Sequence, residues 1–333
     1  MKKNQVLKVI FVLICTIGFV LSAAPVFSET TVLRWSQPGP KRGYATEWLD
    51  WVSKEIESRT DGRVKIDQYW AGSLSNMKEM PEAVKSGMAD IGWISSAYHT
   101  GYGELTGFSH PMDLFNPERD PVKYMEKWYQ IMDSMPEIYE EFKEENMYPI
   151  SCIYYDEYWI FSNKPIRSLE DFKGLKIRVI SEPRQIAMKA VGASPVFIPS
   201  GEMYSAVEKG IIDALGWSPD VARRYNIHEV TKYITKINFM PGVAYWCMNL
   251  DTFENLSESD QKAILEVCRE ADIKMAEFLG KERERALQTF KEAGLEVFDF
   301  AEDDKEKMRS LPEFKEYSRK WVTEKEEKGL PAR

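Results

Sequence analysis

The chain has 333 residues, 44% hydrophobic and 29% charged, with 53 acidic side chains against 44 basic ones and a net charge of −9. These figures exclude a disordered or collagen-like chain and a multi-pass membrane protein, and so acidic a chain is poorly suited to gripping nucleic acid or an anionic membrane surface. Three histidines and four cysteines leave little material for a metal or histidine-based catalytic centre, and the length favours two domains over one.

Residues 1–28 read as an export signal. Lys2, Lys3 and Lys8 precede an apolar run over 9–21, and Val26 and Ser28 fit the −3 and −1 positions of a cleavage site. The run is shorter than the roughly 20 residues a membrane span needs. A mature chain starting at Glu29 loses three lysines, which takes the net charge from −9 to −12, and keeps Cys152, Cys247 and Cys268. An odd count is no disulfide framework; Cys152 and Cys247 are the pair that could bond, and buried free thiols are the simpler expectation.

Alternation predicts a strand over Thr31–Ser36, ending in the loop from Gln37 to Gly43. Trp48, Leu49, Val52 and Ile56 recur at helical spacing up to Asp61-Gly62. A strand over 64–70, a helix over 76–86 and a strand over 89–94 complete a β-α-β-α-β run, the mark of a parallel α/β sheet. A helix over 120–143, broken at Pro136, leads to strands over 148–162 and 175–180. A second α/β run follows, with helices over 183–191 and 202–209 and strands over 196–198 and 211–217. An extended stretch over 231–250 is interrupted by Pro241-Gly242. Ser257-x-x-Asp260 then caps a long helix through Gly280 and beyond, with Ile264, Leu265, Cys268, Met275 and Phe278 on one face. The tail over 312–333 is charge-dense.

No nucleophile elbow, zinc helix or Walker loop is present, and Gly101-Tyr102-Gly103 opens a near-match to a dinucleotide loop whose third glycine, Gly107, falls one residue late. Each histidine is read as structural. The informative stretch runs from Leu169 to Val179, where Lys176 and Arg178 share one strand face and Ile177 and Val179 the other. A solvated strand face explains that pattern; so does a guanidinium aimed into a cleft, where its planar fork would match a carboxylate.

The stretch Leu169-Glu170-Asp171-Phe172-Lys173-Gly174-Leu175-Lys176-Ile177-Arg178 resembles a signature of the C4-dicarboxylate-binding type of solute-binding protein in tripartite ATP-independent periplasmic (TRAP) transporters. Gly192-Ala193-Ser194-Pro195, Glu202 to Ala214, Thr60 to Val64, Glu82 to Ile91 and Leu256 to Gln261 resemble further family stretches, in family order. The resemblance implies an α/β fold of two lobes that close like a clamshell, with crossover strands and long C-terminal helices. The expected division is a signal over 1–28, lobe I over 29–155 plus 244–283, lobe II over 156–243 plus 284–311, and a C-terminal helix or tail over 312–333.

The implied function is capture of a small organic acid for delivery to integral membrane permease subunits, with a periplasmic location, no catalysis, no cofactor, no nucleic-acid partner and a monomeric state. A receptor for another importer or sensor, and a secreted α/β enzyme, are the alternatives. In the family the arginine of the Lys-x-Arg strand pairs with the ligand carboxylate, which implies that role for Arg178. Tyr158 stands where some members carry a second arginine, which favours a ligand with one firmly held anionic group; a lobe I cation such as Lys41 or Arg42 would allow a second. Gly216 replaces a glutamate that helps hold a metal in some members, so no metal is implied. Ligands of open α/β sheets sit beyond the carboxyl ends of strands, and the expected ligand-binding residues are Arg178, Trp217, Ser218, Tyr158, Tyr98, Trp93 and Trp159. Tyr245 and Trp246 fall at similar places and are read as core.

Overall fold

A computed structural model describes residues 30–95, 99, 120–154, 156–180, 182–239 and 243–329; residues 1–28, the near-dinucleotide loop and Tyr98 lie outside them. The first α/β run forms as the periodicity predicts: β1 (Thr31–Ser36), α1 (Tyr44–Arg59), β2 (Val64–Tyr69), α2 (Met80–Lys85) and β3 (Ile91–Ile94). β1 lies between β2 and β3, parallel to both. A side chain at Gly92 would put its Cβ 2.5 Å from Val84 Cγ2, so glycine is what lets α2 lie against β3. The helix predicted over 120–143 is two, α3 (Pro121–Ser134) and α4 (Pro136–Glu144), because Pro136 cannot continue a helix. Asp120 caps the first by accepting from the N–H groups of Val122 and Lys123 at 2.9 and 3.3 Å.

The strand expected over 148–162 is two strands in different sheets. β4 (Met147–Tyr154) closes the first sheet, whereas β5 (Tyr158–Ser162) belongs to the second. β6 (Lys176–Arg178), α5 (Glu182–Ala190), β7 (Ser194–Val196), α6 (Met203–Glu208) and β8 (Ala214–Trp217) form the second α/β run, with β6 parallel to β7 and β8. The last strand begins at Ala214 and leaves Ile211 exposed. After α7 (Pro219–Arg224) come β9 (Tyr233–Phe239) in the second sheet and β10 (Val243–Asn249), which returns to the first as an antiparallel strand between β3 and β4.

A short helix, α8 (Leu250–Glu254), leads to α9 (Glu258–Glu292), 35 residues long and so about 50 Å from end to end. Its first half packs Ile264, Val267 and Cys268 into the first-sheet core, and its last turns pack Ala286 and Phe290 into the second. β11 (Glu296–Asp299) then joins the edge of the second sheet beside β9, followed by α10 (Glu302–Arg309) and α11 (Pro312–Glu327), which packs on α5. The result is two α/β lobes with sheet orders β2-β1-β3-β10-β4 and β11-β9-β5-β8-β6-β7. Among the described residues, Cys152, Cys247 and Cys268 are free and buried. Cys152 stands opposite Tyr245 and Cys247 opposite Pro149, so the register does not bring the two together.

Candidate ligand-binding site

A cavity of about 90 Å³ opens between the lobes, beyond the carboxyl ends of β1, β3 and β8. Trp93 and Trp246, directly opposite each other on β3 and β10, line its first-lobe side with Trp48 from α1. Trp246 stacks on Trp48 at 6.0 Å and meets Trp35 edge-on at 5.3 Å, so these indoles form one packed cluster. Trp246 therefore contributes to the cavity wall as well as to the core, whereas Tyr245 points to the other face of β10, into the core. His99 is 5% exposed and structural: its Nδ1 accepts from the Ser95 N–H at 3.2 Å, leaving Nε2–H to donate to the Met77 carbonyl at 2.7 Å. Burial pulls its pKa down to about 4.

The second-lobe wall is Trp217, at the end of β8, with Arg224 and Tyr225 from α7 and just after it. Ser218 starts that helix; its hydroxyl is buried and has no hydrogen-bond partner among the described residues. Gly43, just before α1, packs beside the Arg224 stem, and its φ of +66° suits glycine. Arg224 Nη2 donates to the Tyr44 hydroxyl at 3.4 Å and lies 3.6 Å from Asp220, so a lobe II guanidinium reaches the first turn of a lobe I helix. Burial, reinforced by Asp220, pushes the Tyr44 phenol far above its ordinary pKa.

Arg178 does not lie on this wall. It is 2% exposed, its Nε donates to the Ile198 carbonyl at 2.8 Å, and its Nη2 is 3.5 Å from the Ser200 hydroxyl. It faces a smaller cavity of about 20 Å³, with Tyr158, Arg184 and Gly216. Trp217 stands between the two spaces. Its ring lines the larger one and carries the Arg178 guanidinium 4.1 Å from its centre, while Tyr158 lies parallel to it at 6.3 Å. Arg184 in turn sits 4.5 Å over the Tyr158 ring, and burial pulls its guanidinium below its usual pKa.

Thus Arg178, Trp217, Tyr158 and Trp93 are gathered at two adjoining spaces, with Ser218 beside them. Trp159 is not among them: neighbours on a strand face opposite ways, and it packs with Phe161 and Phe290 while its Nε1 donates to Glu157 at 3.2 Å. Lys41 and Arg42 are exposed. The sequence reading missed Arg184, Arg224 and Tyr44. For Arg224 a signal existed: Ser218-Pro219 is a helix start, which puts Asp220 and Arg224 one turn apart on one face.

The sequence pattern of the family described as bacterial extracellular solute-binding protein, family 7 (DctP), matches residues 36–321. The chain belongs to that family. Among its relatives, an uncharacterised Salmonella typhimurium protein is 26% identical over 227 residues, 65% of either chain. The 2,3-diketo-L-gulonate-binding periplasmic protein of Escherichia coli is 25% identical over 248 residues, 73% of either chain. A TRAP periplasmic solute-binding protein from Desulfovibrio salexigens, solved with bound orotic acid, superposes with a TM-score of 0.78 at 23% identity, over 88% of this chain and 93% of that one. Family 7 members are extracellular receptors, and the two-lobed architecture described above is theirs.

Proposed function

We propose that this family 7 protein is the periplasmic receptor of a TRAP transporter, and that it captures a small organic acid between its lobes for delivery to integral membrane permease subunits. One observation carries the reading: Trp48 and Trp217, whose buried indole N–H groups have no acceptor among the described residues, line the same cavity as Arg224. A wall of donors around a guanidinium suits an oxyanion. The acid-binding relatives support the choice of ligand class. Arg178 and Arg184 supply positive charge behind Trp217, and the carboxylate sits against Trp217 with Tyr158 stacked behind that ring; Tyr98, Trp93 and Ser218 complete the proposed contact set. No step in this role requires bond chemistry, a cofactor or a second copy of the chain.

The same reading takes residues 1–28 as a removable leader. It takes 29–155 with 244–283, and 156–243 with 284–311, as the two lobes that approach each other on binding. Thermal-shift screening of purified protein over organic acids, followed by calorimetry, tests it. Stabilisation by a subset of carboxylates is the expected result; stabilisation by none, or turnover of any of them, would overturn it.

A further inference from the structure

The cavity between the lobes has an acidic wall as well as a basic one. Asp272, from the middle of α9, lines it and is 5% exposed. Its Oδ2 accepts from the Tyr129 hydroxyl at 2.5 Å, the Ser151 hydroxyl at 2.7 Å and the Cys152 N–H at 3.2 Å. Among the described residues Oδ1 meets only that same Ser151 hydroxyl, at 2.9 Å. One hydroxyl hydrogen cannot fully serve both oxygens, so Oδ1 keeps acceptor capacity.

The other buried acids among the described residues all have a basic side chain within ion-pair distance. Asp90 has Arg34, Asp156 has Arg283 and Asp220 has Arg224; Asp260 has Arg63, Glu282 has Arg223 and Asp304 has Lys307. Asp272 has hydroxyl and amide donors in place of a cation. The titratable groups around it are Tyr129 from α3, Cys152 from β4 with Tyr124 and Tyr245 beyond it, and Cys268 one turn earlier on α9. Arg269, one turn earlier on α9, stacks on the Tyr129 ring at 4.4 Å and pairs with Asp133 at 3.1 Å. A buried carboxyl without a counter-charge is costly to ionise, even with the Tyr129, Ser151 and Cys152 donors on it. Its place on a ligand cavity gives it a use.

We propose that Asp272 is a specificity residue of this cavity, accepting a hydrogen bond from a hydroxyl, amide N–H or ammonium group of the bound acid. The receptor then reads a bipolar molecule, with its carboxylate toward the arginine side and its donor toward α9, and hydroxy, amino or lactam acids are selected over acids that lack a donor. This rests on the reading that a small carboxylate occupies the cavity. A proton consequence follows. Burial holds Asp272 at about 7; a ligand donor favours the carboxylate, so binding near neutral pH releases protons. An acid with no donor brings only negative charge and takes a proton up.

The test is calorimetry near neutral pH, in buffers of different ionisation enthalpy. The probes are matched pairs: lactate and propionate, mandelate and phenylacetate, pyroglutamate and cyclopentanecarboxylate. Wild type should prefer the donor-bearing member of a pair about tenfold or more and release protons on binding it. Asp272→Leu should bring the two members within a few-fold of each other. Asp272→Asn should abolish the proton exchange, and it carries the test alone if the leucine variant does not fold. Equal binding within pairs by wild type, or a preference and proton release that survive in Asp272→Asn, overturns the assignment while leaving the receptor reading intact. Binding of none of these acids, nor of any in the wider screen, overturns the receptor reading and this inference with it.

Discussion

The Arg178 guanidinium lies 4.1 Å from the centre of the Trp217 ring, and the ring's surroundings include the inter-lobe cavity. The indole thus stands between a buried charge and the space where a ligand would sit. Cation and ring attract each other, by about 2 kcal/mol or more when desolvated as here, so each fixes the position of the other.

Removing the charge should therefore cost binding in two ways. Arg178→Met is expected to weaken acid binding by about 2–5 kcal/mol, through loss of the counter-charge and loosening of Trp217. Arg178→Lys should recover only part, because an ammonium keeps the charge but not the planar fork that now meets the Ile198 carbonyl. Calorimetry with an acid from the screen decides; an affinity within a few-fold of wild type for Arg178→Met would place the anchor at Arg224 or Arg184.

Trp217 itself reports occupancy. Ligand capture should change its emission, and Trp217→Phe should lose that change together with about 1–3 kcal/mol of affinity. The chain has ten tryptophans, so the difference spectrum between wild type and Trp217→Phe is the measurement. An identical ligand-induced shift in both proteins would remove Trp217 from the site.

Much of the first lobe was legible because its signals are local. Trp48, Leu49, Val52 and Ile56 mark one helix face without reference to anything distant, and alternation marks the strands beside it. The division of 148–162 between two sheets was not legible, since the run from Met147 to Ser162 stays strand-like and sheet membership is decided by distant partners. Tyr158 and Trp159 show the same limit within one strand: only one of two neighbours can face Arg178, and the packing of Phe161 with Phe290 decides which. Arg184, Arg224 and Asp272 sit on helices, where polar residues ordinarily face water. That α5, α7 and α9 turn these side chains inward follows from distant partners, Tyr158 for Arg184, Tyr44 for Arg224 and Tyr129 with Ser151 for Asp272, which no local pattern encodes.

Asp272 also bears on stability. Its folded pKa of about 7 lies above the ordinary 3.8, so the folded state holds a proton that the unfolded state releases. The stability this contributes is fully present below about pH 4 and is lost as pH rises through 7. Thermal unfolding of wild type and Asp272→Asn across this range should give a flatter profile for the variant. Parallel profiles would mean that the carboxyl titrates normally.

Cys152, Cys247 and Cys268 should behave as core residues. Burial raises the pKa of each thiol well above its usual value, so alkylating reagents should modify none in the native protein and all three after unfolding. A native mass lower by two hydrogens would reveal a disulfide and contradict the register of β4 and β10.

Gly280 offers a stabilising change. It lies in the interior of α9 on an exposed face, and a Cβ there would meet nothing within 4 Å. Gly280→Ala is expected to add about 0.5–1 kcal/mol to stability by lowering the entropy of the unfolded chain, read as a higher denaturant midpoint. A lower midpoint would show that the helix needs the freedom of glycine there.

α9 also sets the order in which the molecule can be finished. Neither lobe is a continuous stretch of chain: the first sheet waits for β10, the second for β11, and both cores wait for side chains from this one helix. A nascent chain ending before Leu279 has no complete core in either lobe, and the second lobe still waits for Phe290. Contacts this distant in sequence form slowly. Both lobes are therefore finished late in synthesis, the first only once α9 has reached Leu279 and the second only after Phe290.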